Sequence, residues 1–360
     1  GMPGSAGIFF SRVAPAPRTP ARVLRSWGQH ARAPRTETVE ALFSSSEQDP
    51  DAIAGSNNWV VAGRHAASGR AMLANDPHLN YAVPPIWYTV HLQAPGPAEE
   101  PGMDVAGVSL PGMPAVIIGH NAQIAWGMTN LGADVQDVYI EKFDPKDSFR
   151  YLVAGEWQRA EERKERIIIR GEPDREVGFT VTRHGPIVLV DGAGAEKKSY
   201  ALRWVATEKL DWTLPFFRLN AARNWEEFRA ALAGYPGPAQ NFVYADAAGN
   251  IGYQAAGMIP IRPRGDGSVP LEGHDLANDW RGYIPFEELP SVYNPPSGMI
   301  ATANGRVVPD GYAYPVATKW DAPDRTERIY ELLNQGAARK FRAGDFARIQ
   351  SDVHSRHYKE

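Results

Sequence analysis

The sequence predicts an α+β protein with many short strands, few helices and no regular alternation of the two. Apolar runs of four to eight residues, broken by glycine and proline, recur along most of the chain after residue 56. Helical spacing is confined to a few stretches, mostly in the second half. A parallel βαβ sheet would show strand and helix in turn, and a nucleotide-binding version would open a helix with GxGxxG or GxxxxGK[ST]. Neither pattern is present.

Taken in order, residues 1–50 stand apart. "RVAPAPRTPARVLRSWGQHARAPR" is rich in Arg, Pro and Ala, contains no acid and has no clear period, the texture of a loosely ordered basic arm. "TETVEALF" suits a short helix. "NWVVAG" and "RAMLAN" are strands joined by the turn-like "RHAASG". "PPIWYTVHLQAP" is a strand with a stiff Pro84-Pro85 start. "MDVAGVSLPGMPAVIIGHNAQIAWGMTN" divides into several short strands, and "ERIIIRG", "EVGFTVTRH" and "PIVLV" add more. In "NAARNWEEFRAALAGY", Trp225, Phe228 and Leu232 share one helix face at spacings of three and four. "NFVYADAAGNIGYQAAG" is a hairpin turning at "DAAGN". "DRTERIYELLNQG" is a helix stopped at Gly336, and "KFRAGDFARIQSDVHSRHYKE" is another. There are no internal repeats.

Composition excludes several classes. A chain of 360 residues with 43 % apolar content builds one large domain or two smaller ones. A net charge of -4 gives no reason to expect nucleic acid as a partner. The absence of cysteine removes disulfides, thiolate catalysis and cysteine-ligated metals. No run of eighteen apolar residues exists, so no transmembrane helix is expected, and "GIFF" is too short for a signal-peptide core. His120, His184 and the His354/His357 pair lack the companions of a zinc site, and no GxSxG is present.

One short stretch carries chemistry. In "DAIAGSNNWVVAG", Gly55-Ser56 fits a turn entering a strand, and equally a bond made to be cut. An internal serine hydroxyl is a poor nucleophile until a base takes its proton. Cleavage before Ser56 would free an α-amine that titrates near pH 8, able to act as base on its own residue. Glycine at position 55 leaves room around the scissile carbonyl.

"GSNNWVVAG" followed by "GRAMLANDPHL" resembles the penicillin acylase family of N-terminal nucleophile hydrolases. "GHNAQIAWGMTNLGADVQDVYIE", "QNFVYADAAGNIGY" and "PPSGMIATANGRV" agree with it in order. The resemblance runs from about Ala52 to the end of the chain. It implies a four-layer αββα core, incomplete here, with a leading pro or linker segment over 1–55 and a partial catalytic domain over 56–360. It also implies an amidohydrolase that cuts itself at Gly55-Ser56 and then cleaves a small-molecule N-acyl amide. The alternative is a truncated, silent homologue that at most binds such an amide.

Carried over by residue, Ser56 is the nucleophile. Asn241 supplies the side-chain donor of the oxyanion hole, and the backbone N–H of Asn130 supplies the other. His78 orients the α-amine or assists processing, and Asn57 flanks the nucleophile. Asp134, Asp137 and Asp246 are the calcium ligands for one structural Ca²⁺, with no organic cofactor. Ordinary capping and ion pairing explain these aspartates as well. Arg306, Arg325, Glu327 and Arg328 repeat family positions, as a buried ion-pair network or a wall near the pocket. Trp87, Tyr88, Trp126, Trp212 and Phe216 line an acyl pocket or fill the core, and Trp59 is core or pocket wall. Family precursors have a sizeable chain before the nucleophile and a core continuing past residue 360, so a missing α-chain-like segment is implied. The resemblance points to a periplasmic or secreted protein.

Overall fold

The computed structural model describes residues 55–79, 83–96, 102–192, 197–208, 210–211, 213–336 and 339–354. The basic arm, the "TETVEALF" helix, Trp212 and His357 lie outside them.

Glycine and proline cut the apolar runs into short strands, and two of the resulting sheets, both antiparallel, stack face to face. The smaller is three-stranded, with β1 (Gly55–Val61) between β2 (Met72–His78) and β5 (Met299–Thr302). The larger has seven strands, all antiparallel to their neighbours. At its centre lie β3 (Ile124–Asn130) and β4 (Gln240–Asp246). Ile251–Ala256 and Ser291–Tyr293 extend it on one side, and Ile118–His120, Met103–Ser109 and Tyr88–Ala94 on the other.

Side chains alternate along strands, so each sheet has two faces to cover. Val60, Leu73, Val243, Ile251 and Ile300 pack between the two sheets. Ile124, Trp126, Phe242 and Tyr244 face outward from the larger sheet onto two helices, α1 (Leu214–Ala221) and α2 (Trp225–Ala233). Trp59, Val61 and Met299 face outward from the smaller sheet onto α3 (Asp324–Gly336) and α4 (Ala343–Gln350). The layer order is helix, sheet, sheet, helix, the expected four-layer αββα core.

Local chemistry places the helices. Asn224 caps α2 by accepting from the Glu227 N–H at 2.8 Å, while the Glu227 carboxylate reaches back to the Arg223 N–H at 2.9 Å. Trp225, Phe228 and Leu232 are buried on one face as their spacing predicts. Helix α1 is not evident from the sequence. Its eight residues begin with Leu-Pro, where proline is tolerated, and only Phe216 and Leu219 mark its apolar side. The final helix stops at Gln350, shorter than its pattern suggests. The "DAAGN" turn closes as expected: Gly249 has φ +96°, and Asp246 accepts from the backbone and side-chain nitrogens of Asn250, both at 2.9 Å.

A further, six-stranded sheet branches off after Asn130. It is led by Gln136–Glu141 and ends in the exposed hairpin Glu161–Ile167/Arg175–Thr182. The strand predicted at "ERIIIRG" thus lies earlier, over Glu161–Ile167. Within it His184 is buried between Glu141 and Asp279, bonded at 2.8 and 3.0 Å. Among the described residues no helix is long and apolar enough to cross a membrane.

Candidate functional site

Ser56 is the second residue of β1, at the end of the central strand of the smaller sheet. It is buried, and it lines a cavity of about 390 Å³. The walls come from β3, α1 and the loops beside them: Leu110, Met113, Ile117, Met128, Phe216 and Tyr235 among others. No described lining residue is charged. Trp87 and Phe216 therefore join the cavity, whereas Trp126 is fully buried core with its indole N–H on the Ile117 carbonyl. Tyr88 is exposed, and Trp59 packs on Phe346.

The pairing of β1 with β5 sets Asn58 opposite Thr302. Continued by two residues, the same antiparallel register brings Asn304 opposite Ser56. Asn304 lies in the left-handed region, φ +66°, a conformation asparagine tolerates well. Its Oδ1 accepts from the Ser56 N–H at 2.7 Å, and its Nδ2 donates to the Asn130 carbonyl at 2.8 Å. Ser56, the Asn304 amide and the end of β3 are thereby joined.

Asn130 lines the cavity beside Ser56. Its carbonyl also takes a bond from Asn241 Nδ2 of β4, at 3.2 Å.

Arg325, the second residue of α3, holds the other side of Ser56. Its Nη1 donates to the Ser56 carbonyl at 2.9 Å and to Asn57 Oδ1 at 2.8 Å, and its Nη2 to Asn304 Oδ1 at 3.0 Å and Asp321 at 3.1 Å. Burial lowers the guanidinium's pKa and Asp321 opposes the shift; an arginine in this setting stays charged near neutral pH. A Cβ on residue 55 would lie 3.0 to 3.3 Å from that guanidinium, so glycine before the serine lets Arg325 close in. Arg306 and Arg328 lie elsewhere, paired with Asp310 and with Glu331 and Asp352.

Two expectations are corrected here. Asn241 is not the amide beside Ser56. Gln240 lines the cavity, so its neighbour Asn241 points to the opposite face. There it is fully buried and engaged, taking a bond from Tyr253 OH at 2.7 Å and giving bonds to Thr129 Oγ1 at 3.1 Å and the Asn130 carbonyl at 3.2 Å. Burial raises the Tyr253 pKa, keeping that hydroxyl a donor. The chain of bonds continues through Thr129 and Thr302 to Asn58, at 2.7 Å each, tying the two sheets together. Asn304 lies within the "PPSGMIATANGRV" motif, and no local pattern sets it apart. Its signal is the strand register, which becomes visible once β1 and β5 pair.

Asp246 is the second correction. It sits at the far end of β4, about 20 Å from the Asn130 end by strand rise, and it closes the hairpin turn. Asp134 and Asp137 do lie together, beyond Asn130. Burial pushes the Asp134 carboxyl up, and Arg262 opposes the shift. Among the described residues no three His, Asp or Glu side chains converge as a metal site.

His78 is opposite Gly55 in β2, one step from Pro77, which pairs with Ser56. Its Nε2 bonds Asp76 at 3.0 Å, and it is not among the residues lining the cavity. A wider open cleft of about 880 Å³ lies along α3 and α4, ringed by Arg339, Asp345, Arg348 and Asp352, with no part of the Ser56 cluster in it.

A family profile described as penicillin amidase matches residues 11–360. Penicillin acylase 2 proenzyme of Pseudomonas sp. (strain SE83) is 34% identical over 323 residues, covering 89% of this chain and 40% of that protein. Acyl-homoserine lactone acylase QuiP of Pseudomonas aeruginosa is 36% identical over 314 residues, covering 83% of this chain and 36% of that protein. The structure of a thermostable penicillin G acylase from Alcaligenes faecalis superposes with a TM-score of 0.67 at 30% identity, covering 78% of this chain and 49% of that one. The chain spans less than half the length of each of these relatives. It belongs to the penicillin amidase family.

Proposed function

We propose that this chain carries the nucleophile of an amide hydrolase that acts on a small N-acyl amide with an uncharged acyl group. The observation that carries the reading is Ser56 at the head of a strand, facing an uncharged cavity, with Asn304 on its nitrogen and Arg325 on its carbonyl oxygen. The names of the relatives, penicillin acylase and acyl-homoserine lactone acylase, support the reaction class.

In self-cleavage Ser56 Oγ attacks the Gly55 carbonyl carbon. The C–N bond breaks, the nitrogen takes the proton, and an ester links Gly55 to the serine oxygen. Water opens the ester and leaves a Gly55 carboxylate and a free Ser56 amine. In turnover the same oxygen attacks the substrate amide, and the α-amine accepts its proton. The negative oxygen of the tetrahedral intermediate is met by the Asn130 N–H and by Asn304 Nδ2, released from the Asn130 carbonyl. Collapse expels the amine, which takes the proton from the Ser56 amine. The acyl-enzyme is then hydrolysed by water with the same base. The acyl group rests in the cavity, whose volume falls within the usual range for small-molecule sites.

The test is hydrolysis of a panel of chromogenic phenylacetyl and fatty-acyl anilides by the full-length protein. Activity on uncharged acyl groups that exceeds activity on glutaryl anilide is expected. No turnover of any member after verified cleavage at Gly55-Ser56 would refute the reading. Met113→Trp, which fills part of the cavity, should lower kcat/KM for the longest accepted acyl group roughly 10-fold or more and spare shorter ones. An unchanged acyl-length profile would remove the cavity from the mechanism.

A further inference from the structure

Arg262 occupies the place in this fold where the family resemblance implies a calcium ion. Its side chain is almost wholly buried. Nε lies 2.9 and 3.1 Å from the two carboxylate oxygens of Asp137, and Nη2 donates to the Asp134 carbonyl at 3.1 Å, with Asp134 Oδ1 3.5 Å away. Trp280 completes the arrangement: its indole N–H donates to Asp137, and its ring lies 5.9 Å from the guanidinium carbon. The loop of Gly267 presses in from outside, where φ is +89° and a Cβ would meet both aspartates at 2.6 Å.

Calcium takes six to eight oxygen ligands at 2.3–2.6 Å. Here both oxygens of Asp137 are already taken by nitrogen donors, and the third expected ligand, Asp246, caps a hairpin at the other end of β4. The donor set does not fit the ion. An aspartate as buried as Asp137 nevertheless needs an opposite charge.

We infer that Arg262 is the built-in cation of the Asp134–Asp137 pair, doing in this chain what a bound divalent ion would otherwise do. A guanidinium suits the task, because it is planar, permanently charged and able to reach two acceptors at once. It pins the loop around residues 262–280 to the segment that follows Asn130, and so supports the strand end that faces Ser56. Removing the guanidinium leaves two carboxylates and a carbonyl around a vacated space, the beginning of a cation site.

Terbium is the probe, because Trp280 is placed to sensitise its emission when it binds beside Asp137. The full-length parent protein, stripped with chelator, should show no terbium emission that Asp137→Asn abolishes. Its Tm should move by less than about 1 °C on adding millimolar calcium. Arg262→Ala should lose about 5–10 °C in Tm, as expected for a buried charge left unpaired. It should gain an Asp137-dependent terbium signal that calcium competes away, and recover about 3–6 °C with calcium. An Asp137-dependent terbium signal in the parent overturns the inference, as does a folded Arg262→Ala that gains neither signal nor calcium-linked stability. If Arg262→Ala does not fold, the parent decides: an unmoved Tm supports the inference, and a calcium-raised Tm overturns it.

Discussion

Ser56→Ala leaves the chain uncut at Gly55 and lowers amide hydrolysis by roughly 10⁴-fold or more; this is the largest effect expected of any single substitution. Alanine removes the oxygen that attacks in both reactions and barely changes the volume at a buried strand position. Intact mass under denaturing conditions reads the first loss, as two fragments in the parent and one chain in the variant. Initial rates on an acyl anilide read the second. A variant that still splits between residues 55 and 56 would place the cleavage chemistry outside Ser56. On the proposed mechanism the base of the cleaved parent is an amine, so activity should be lost as pH falls and the amine gains a proton. The midpoint should lie within about a unit of the ordinary α-amine value near 8.

Asn304→Ala is expected to lower kcat by about 10²–10³-fold, the usual loss when one oxyanion donor is removed. The same substitution takes away the acceptor for the Ser56 nitrogen, so slower self-cleavage should accompany it. Asn241→Ala is the contrasting variant. It strips Tyr253 OH of its partner, and Thr129 of one of its two, deep between the sheets, at a cost of about 1–3 kcal/mol, and should lower Tm while reducing kcat far less. The pair of variants, compared by melting temperature and by single-turnover rate, separates the two asparagines. Equal kcat losses with equal melting temperatures would return the oxyanion role to Asn241.

The sequence carried much of this arrangement on its surface. Short apolar runs between glycines and prolines foretell strands, and the spacing of Trp225, Phe228 and Leu232 foretells the face of α2. Ser56 and Asn130 were legible as a motif before they were neighbours. What stayed hidden depends on pairing across long separations. Asn304 meets Ser56 across 248 residues, and Arg325 meets it across 269, contacts that no local pattern encodes. Asn241 misleads for a related reason. A hairpin motif identifies the strand, but only the face alternation tells Gln240, which lines the cavity, from Asn241, which does not. Asp246 illustrates the same limit: a carboxylate in a motif is equally a ligand or a turn cap until the strand direction is known. Arg262 lies far from the acidic motif in sequence, and nothing local joins it to Asp137.

The placement of Ser56 at the head of β1 bears on whether the proposed self-cleavage could be reversed. Of the seven β1 residues paired with β2, only Gly55 lies on the departing side of the bond. Asn58 to Val61 are held from both sides by β2 and β5, so the new terminus stays where the intact chain had it. Among the described residues only Gly55 holds the departing side to the sheet, and once the proposed carboxylate moved away its effective concentration at the serine would fall from that of a tethered neighbour to that of a free solute. On the proposed mechanism, cutting at a strand end would therefore work as a ratchet. The catalyst would keep its geometry, and the religation partner would be lost to dilution.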